Sequence, residues 1–201
     1  MQLYHSFRSR STRPRWLLEE IGVPYELVRL DRDKGAHKTP AYLKIHPHGV
    51  VPALVDGDVT VFESAAICLY LADKFPAAQL APPPGSAARA LYYQWIVYTM
   101  ATLEPPVLQV FSHTLRLPEA QRSPRAADEG RRTFTEVARV LAASLDGKPY
   151  MLGERFSAAD VMIGSTLGWC RRIGLLADQP VLDAYVTRLS ARPAFQRAQA
   201  D

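Results

Sequence analysis

In the stretch GVVPALVDGDVTVFES, Gly49 to Ser64, three residues stand where ordinary strand or helix residues would fold more easily: Pro52, Glu63 and Ser64. A proline at the mouth of an apolar strand gives no N–H to a ladder, and an X-Pro bond adopts the cis form at little cost. In that form Val51 turns its backbone N–H and C=O away from the sheet, toward an extended peptide lying alongside. Ser64 opens a helix, whose free N–H groups and dipole favour a carboxylate. Glu63 beside it suits a cation such as an α-amino group. One edge for a backbone and one pocket for a zwitterion together describe a small peptide with a free amino-acid end. Upstream, SFRSRSTRPRW crowds the hydroxyls of Ser6, Ser9, Ser11 and Thr12 among Arg8, Arg10, Arg13 and Arg15. Ahead of Pro14, a good first-turn residue, Ser11 or Thr12 reads most simply as a helix cap, and the arginines as a solvated helix start.

These residues need a scaffold, and the patterning supplies one. Residues 2–5 (QLYH), 26–30 (ELVRL), 52–55 (PALV) and 59–62 (VTVF) read as short strands, with Asp56-Gly57 as a tight hairpin turn between the last two. RPRWLLEEIG puts Trp16, Leu17 and Ile21 on one helical face and stops at Gly22. TPAYLKI is a weaker helical segment, and SAAICLYLADKF a stronger one after Glu63. The order strand, helix, strand, helix, strand, strand, helix is a small α/β unit. After the proline-rich linker AQLAPPPGS, Ala78 to Ser86, no strand pattern returns. Phe134, Val137, Ala138, Leu141 and Leu145 mark an amphipathic helix ending near Gly147. Residues 1–78 therefore read as an α/β domain and 86–201 as an all-helical bundle.

The combination of VVPAL, an ES pair opening a helix, RWLLEEIGVPYEL after the first strand, and FSAADVMIG in the second half resembles the glutathione S-transferase family along essentially the whole chain. The resemblance implies a thioredoxin-like N-terminal domain that holds glutathione as co-substrate and a helical C-terminal domain that supplies most of the second substrate's pocket. It implies that Val51, ahead of Pro52, pairs its backbone with the cysteinyl part of glutathione, that Glu63 and Ser64 hold the γ-glutamyl end, and that His37 meets the glycine carboxylate. Ser9 lies four residues before Arg13, the spacing of the active-site serine in the serine-type branches, and is the first candidate for the donor that stabilises the glutathione thiolate. Ser11 is the second. Tyr4 lies where tyrosine-type branches keep their phenol and is the third. Two departures stand out: Val50 occupies a place where many relatives carry Lys or Gln for the glycine carboxylate, and His46 replaces a usual asparagine. That end of glutathione is then left to His37 or Lys38.

An unperturbed thiol with a pKa of about 8.5 is only a few per cent ionised at neutral pH, so a hydroxyl aimed at sulfur from a helix N-terminus is the chemistry this site needs. The expected reaction is attack of the bound thiolate on a hydrophobic electrophile. Peroxidase, isomerase or dehalogenase chemistry with the same thiolate, and ligand binding without catalysis, are the alternatives. The lack of cysteine in residues 6–13 argues against the disulfide-exchange chemistry of cysteine-type relatives, since no protein thiol is available there. A homodimer is expected by family resemblance. By the same resemblance Tyr98 and Thr102 border the electrophile pocket, while Trp95 reads as core.

Bulk properties agree with a globular, cytoplasmic protein. The 201 residues are 48% hydrophobic and 22% charged, with a net charge of +4 spread among interleaved acids and bases, which argues against a nucleic-acid face. The apolar run from Trp95 to Phe111 is interrupted by Glu104, Pro105 and Pro106 before it reaches the roughly 20 residues of a membrane span. The opening MQLYHSFRSRS has no signal-peptide core. Cys68 and Cys170 read as reduced core residues, and His5, His46, His48 and His113 show no metal-ligand spacing, so no metal is expected. In FSAAD, Ser157 and Asp160 form a capping box with Phe156 as its staple, a folding element without chemistry.

Overall fold

The computed structural model describes residues 1–200, which divide into two compact units: residues 1–81 with the C-terminal segment from Ser190, and Pro82–Leu189. In the first unit β1 (Gln2–His5) and β2 (Glu26–Arg29) run parallel, joined by α1 (Thr12–Ile21). β3 (Ala53–Asp56) and β4 (Val59–Phe62) form an antiparallel hairpin, and the sheet order is β2-β1-β3-β4. β3 begins at Ala53 rather than Pro52 because proline has no N–H to donate to a ladder. Gly57 takes the left-handed φ of 60° that the two-residue turn between Asp56 and Val59 requires. Between β2 and β3 lie a 3₁₀ turn (Ala36–Lys38) and the one-turn α2 (Pro40–Leu43), capped by the Thr39 hydroxyl. α3 (Ser64–Lys74) follows β4 and packs on α1, so Leu3, Leu17, Leu18, Leu54, Ile67 and Leu71 form a dry core.

The period of two along a strand alternates faces. In β1, Leu3 and His5 are buried while Gln2 and Tyr4 are less so. The histidine therefore shares the inward face with a core leucine.

A second difference from the sequence reading concerns the C-terminus. α9 (Pro193–Gln199) belongs to the first unit and packs on α1 instead of joining the bundle. Phe195 meets Trp16 edge to face at 4.8 Å. Arg192 makes a bidentate pair with Glu20 at 2.6 and 2.8 Å, and Arg197 bonds Glu19 at 2.7 Å.

The second unit is all helical. α4 (Ala87–Tyr98) and α5 (Glu104–Phe111) are joined by a π-helical turn, Thr99–Leu103, and a second π turn, Ser112–Arg116, extends the run. The first π turn absorbs Pro105 and Pro106, which have no N–H for the α ladder. α6 (Pro124–Ser144) crosses α5 closely at Gly130, where an added Cβ would lie 2.9 Å from the Pro106 carbonyl. α7 (Ala158–Arg172) and α8 (Pro180–Ser190) complete the unit. The capping box is present, with the Ser157 N–H donating to Asp160 at 2.8 Å. The same buried carboxylate accepts from the Met151 N–H and the Tyr185 hydroxyl, so it fastens α7 to α8 and to the loop before α7. Both cysteines are buried and unbonded to each other; burial pushes the Cys68 thiol up to about 12 and the Cys170 thiol upward as well. Among the described residues no helix is long and apolar enough to cross a membrane.

Candidate functional site

Sheet topology gathers the chemistry-bearing residues at one end of the first unit. β1 pairs with β3 as Tyr4↔Ala53, and β3 with β4 as Ala53↔Phe62. One step beyond those pairs, the antiparallel registers bring Pro52 across from His5 on one side and from Glu63 on the other. The β1–α1 loop, the Val51-Pro52 step and the start of α3 thus meet at one edge, and the Val51-Pro52 bond is cis.

The β1–α1 loop is held by its own hydroxyls. The Ser9 hydroxyl is partly exposed, donates to the Ser6 carbonyl at 2.7 Å and lies 2.6 Å from the Ser11 hydroxyl. Ser11 is fully buried, and its Oγ sits 2.8 Å from His5 Nδ1 and accepts the Ser6 N–H at 3.2 Å. The capping role expected of Ser11 is not the one its hydroxyl plays. It stands at the N-cap position but with α-helical backbone angles and no side-chain cap bond, because the hydroxyl turns back into the loop. Of the three candidate donors, Ser9 and Ser11 are therefore together, with Ser9 the more accessible. Tyr4, one residue away from His5 along β1, faces the other side of the sheet and packs on Tyr42 at a ring distance of 5.3 Å.

At the start of α3, Ser64 is buried and its Oγ accepts from a guanidinium N–H of Arg13 at 3.1 Å. Arg13 is 2% exposed, so a cation stands behind the helix N-terminus that was expected to receive a carboxylate. Charge and dipole reinforce each other there. Glu63, exposed at the sheet edge, has φ 72° and ψ 117°, a conformation that costs a residue with a side chain about 1–3 kcal/mol and is concentrated at functional sites. The arginine cluster read from the sequence is split: Arg8 and Arg10 are exposed, Arg13 serves Ser64, and Arg15 reaches the Arg197 and Ala200 carbonyls of the C-terminal segment.

His37 lies on the 3₁₀ turn beside the loop that enters Pro52. Gly49, at φ 56°, passes so close that an added Cβ would sit 2.6 Å from the His37 carbonyl. Lys38 spends its ammonium on the His48 carbonyl at 2.8 Å. The Nδ1 of His37 is buried and has no hydrogen-bond partner among the described residues. Val50, exposed, has its carbonyl fixed by the Tyr42 hydroxyl at 2.6 Å, just before Val51. His46 is buried against Phe62, and burial pushes its pKa down. In the second unit Trp95 is buried as expected, Tyr98 is half-buried against it and Thr102 is exposed.

Two of these partnerships escaped the sequence. Arg13 and Ser64 are 51 positions apart, and nothing local pairs them. His5 did carry a signal, since strand alternation puts it with Leu3.

Residues 1–73 match the glutathione S-transferase N-terminal domain, and residues 103–193 the C-terminal domain. The chain belongs to the glutathione S-transferase family. It is 32% identical over 190 residues to glutathione S-transferase 3 of Zea mays, covering 92% of this chain and 86% of that one. The transferase fold is shared with a sphingomonad glutathione S-transferase solved in complex with glutathione, at a TM-score of 0.86 and 31% identity over 99% of this chain and 97% of the other. The family resemblance extends to the disulfide-bond oxidoreductase YfcG of Escherichia coli, 30% identical over 90% of this chain and 86% of the relative.

Proposed function

We propose that this chain is a glutathione transferase that binds glutathione at the sheet edge of its first unit and transfers the thiolate to a hydrophobic electrophile. The observation that carries this reading is the meeting, at one edge, of the accessible Ser9 hydroxyl, the Val51 main chain and an Arg13-backed Ser64 at a helix start. The γ-glutamyl carboxylate docks at the α3 N-terminus, where the N–H groups of Ser64 and Ala65 have no intrahelical acceptor. Glu63 receives the α-amino group, the Val51 backbone pairs with the cysteinyl unit, and His37 meets the glycine carboxylate. The Ser9 hydroxyl and the N-terminus of α1 then stabilise negative charge on sulfur, which lowers the thiol pKa toward neutrality. The sulfur lone pair attacks the electrophilic carbon, its leaving group departs with the displaced electron pair, and no bond to the protein forms. The protein acts as a homodimer in the cytoplasm; its unpaired cysteines fit a reducing compartment.

A second reading, in which the same thiolate attacks a disulfide sulfur, is favoured by the similarity to YfcG and needs no cysteine in residues 6–13, because glutathione supplies the thiol. Calorimetry and a turnover panel separate the cases. Heat at millimolar glutathione with conjugation of a chloronitroarene supports the transferase reading. Heat with disulfide turnover alone moves the assignment to the second reading. Binding without turnover makes the chain a ligand-binding relative, and no heat removes the glutathione site. Ser9→Ala is expected to raise the bound thiol's pKa and lower thiolate absorbance near neutral pH about tenfold, the loss of one hydrogen bond to a charged group. An unchanged titration would pass the role to Ser11.

A further inference from the structure

His5 is a titratable side chain with no part in the mechanism above, yet it is linked to the reacting atom's donor by two short hydrogen bonds. Its Nδ1 is 2.8 Å from Ser11 Oγ, which is 2.6 Å from Ser9 Oγ. His5 is 1% exposed and Ser11 fully buried, so the chain of groups runs from an accessible hydroxyl into the protein interior without passing through bulk water. The loop fixes both hydroxyls from the side: the Ser11 N–H donates to Ser9 Oγ at 3.2 Å, and the Ser6 N–H to Ser11 Oγ at 3.2 Å. Each oxygen thus has one lone pair tied down; the Ser9 proton rests on the Ser6 carbonyl at 2.7 Å and the Ser11 hydroxyl lies 3.2 Å from the same carbonyl, so both hydroxyls rotate toward the chain as the relay runs.

We propose that His5 takes up the proton that glutathione's thiol loses, delivered through Ser9 and Ser11. The inference rests on the glutathione-binding reading above and adds the fate of the proton. In the balanced step the thiol S–H bond breaks as a new O–H bond forms on Ser9. The former Ser9 proton moves to Ser11, and the former Ser11 proton forms an N–H bond at His5 Nδ1. Sulfur keeps the electron pair and the imidazole becomes an imidazolium. The result of this triple shift is the arrangement a thiolate requires: His5 N–H donates to Ser11, Ser11 O–H to Ser9, and Ser9 O–H to sulfur. Charge is separated within the site, thiolate against imidazolium, instead of a proton being discharged to solvent.

Charged groups of both signs surround that position. His5 lines a groove of about 640 Å³ with Arg8 of the loop, Arg29 at the end of β2, and Asp31, Arg32 and Asp33 after it. The backbone N–H and ammonium of Lys34 hold the Asp31 carboxyl below its usual range, so it stays anionic at neutral pH. From α1, Arg13 is directed to Ser64. From β3, the position across from His5 is Pro52, which carries no charge. The three arginines around the groove oppose a permanent imidazolium, and the two aspartates with the incoming thiolate offset them. The relay requires a His5 that is neutral before binding and gains its charge together with the thiolate.

As a positioning residue acting through two hydroxyls, His5 is tested by counting protons. Calorimetry of glutathione binding in buffers of different ionisation enthalpy gives the protons released, and thiolate absorbance gives the thiolates formed. The wild type is expected to release well under one proton per thiolate. His5→Asn, whose amide can still bond Ser11 but cannot take a proton, is expected to release one proton per thiolate or to lose thiolate at neutral pH by tenfold or more. NMR of nitrogen-labelled histidine adds a readout that needs no variant to fold. The His5 ring should shift to the imidazolium position with glutathione and stay put with S-methylglutathione, which has no thiol proton. Release of a full proton per thiolate by the wild type, or an unmoved His5 ring, overturns the relay while leaving the glutathione site intact. Absence of any binding heat overturns the site and the relay together.

Discussion

Arg13 carries a fixed charge into a place where few charges are tolerated, and its value to the protein depends on what it faces. A buried guanidinium that donates to Ser64 Oγ costs desolvation, and a ligand carboxylate at the same helix start would offset that cost. Arg13→Ala is expected to raise the glutathione KM about tenfold or more, in keeping with the roughly 1.5–3 kcal/mol of a hydrogen bond to a charged group. Arg13→Lys should recover part of it, since an ammonium restores the charge but not the fork geometry. Steady-state kinetics with glutathione varied, alongside thermal denaturation, separates lost binding from lost folding. An Arg13→Ala variant with unchanged KM would detach Arg13 from the site. At this scale the sequence was partly legible. Val51, Pro52, Glu63, Ser64 and Ser9 stand out because proline, an acid and hydroxyls are out of place in an apolar strand and at helix starts. Arg13 was counted with its neighbours as one cationic cluster because all four arginines are close in sequence, whereas a helix sends successive side chains to different sides.

The elements place these residues through backbone geometry, and Gly49 is where that placement is tightest. A left-handed φ of 56° and a carbonyl only 2.6 Å from the would-be Cβ mean that any side chain there must displace the turn bearing His37. Gly49→Ala is expected to cost about 1–3 kcal/mol in stability and to weaken glutathione binding, because the displaced turn adjoins the approach to Val51. A Tm and a calorimetric Kd check both; a variant with wild-type Kd would show the His37 turn to be independent of the site. The strands to within a residue at their ends, the hairpin, the helix stop at Gly22 and the Ser157–Asp160 box were readable, since each is decided within a few residues. The π turn at Thr99–Leu103 was not. The two prolines after it mark a disturbed ladder in the sequence, but whether the chain breaks, kinks or widens there depends on the helices packed around it.

For the whole chain, the organising fact is that the first unit is discontinuous. α1, which carries Arg13 and follows the hydroxyl loop, has its outer face covered by α9 from the far end of the sequence. Phe195→Ala removes the edge-to-face partner of Trp16 and is expected to lower stability by roughly 1–3 kcal/mol. The same change should lower glutathione affinity although Phe195 is remote from the site in sequence. Thermal denaturation with and without glutathione tests this: an unchanged Tm would mean that α9 is not a structural part of the first unit.

The sequence by itself determined the element types, the proline ahead of β3, the acid and serine at the α3 start and the hydroxyl-rich loop, because each follows from propensities and hydrogen-bond needs that act over a few residues. Only the tertiary structure decided that Arg13 reaches Ser64, that Ser11 turns away from its cap toward His5, and that the last helix folds back onto the first. Those outcomes depend on which faces meet when helices pack on a sheet, and side chains 178 positions apart along the chain, such as Glu19 and Arg197, become neighbours through that packing alone.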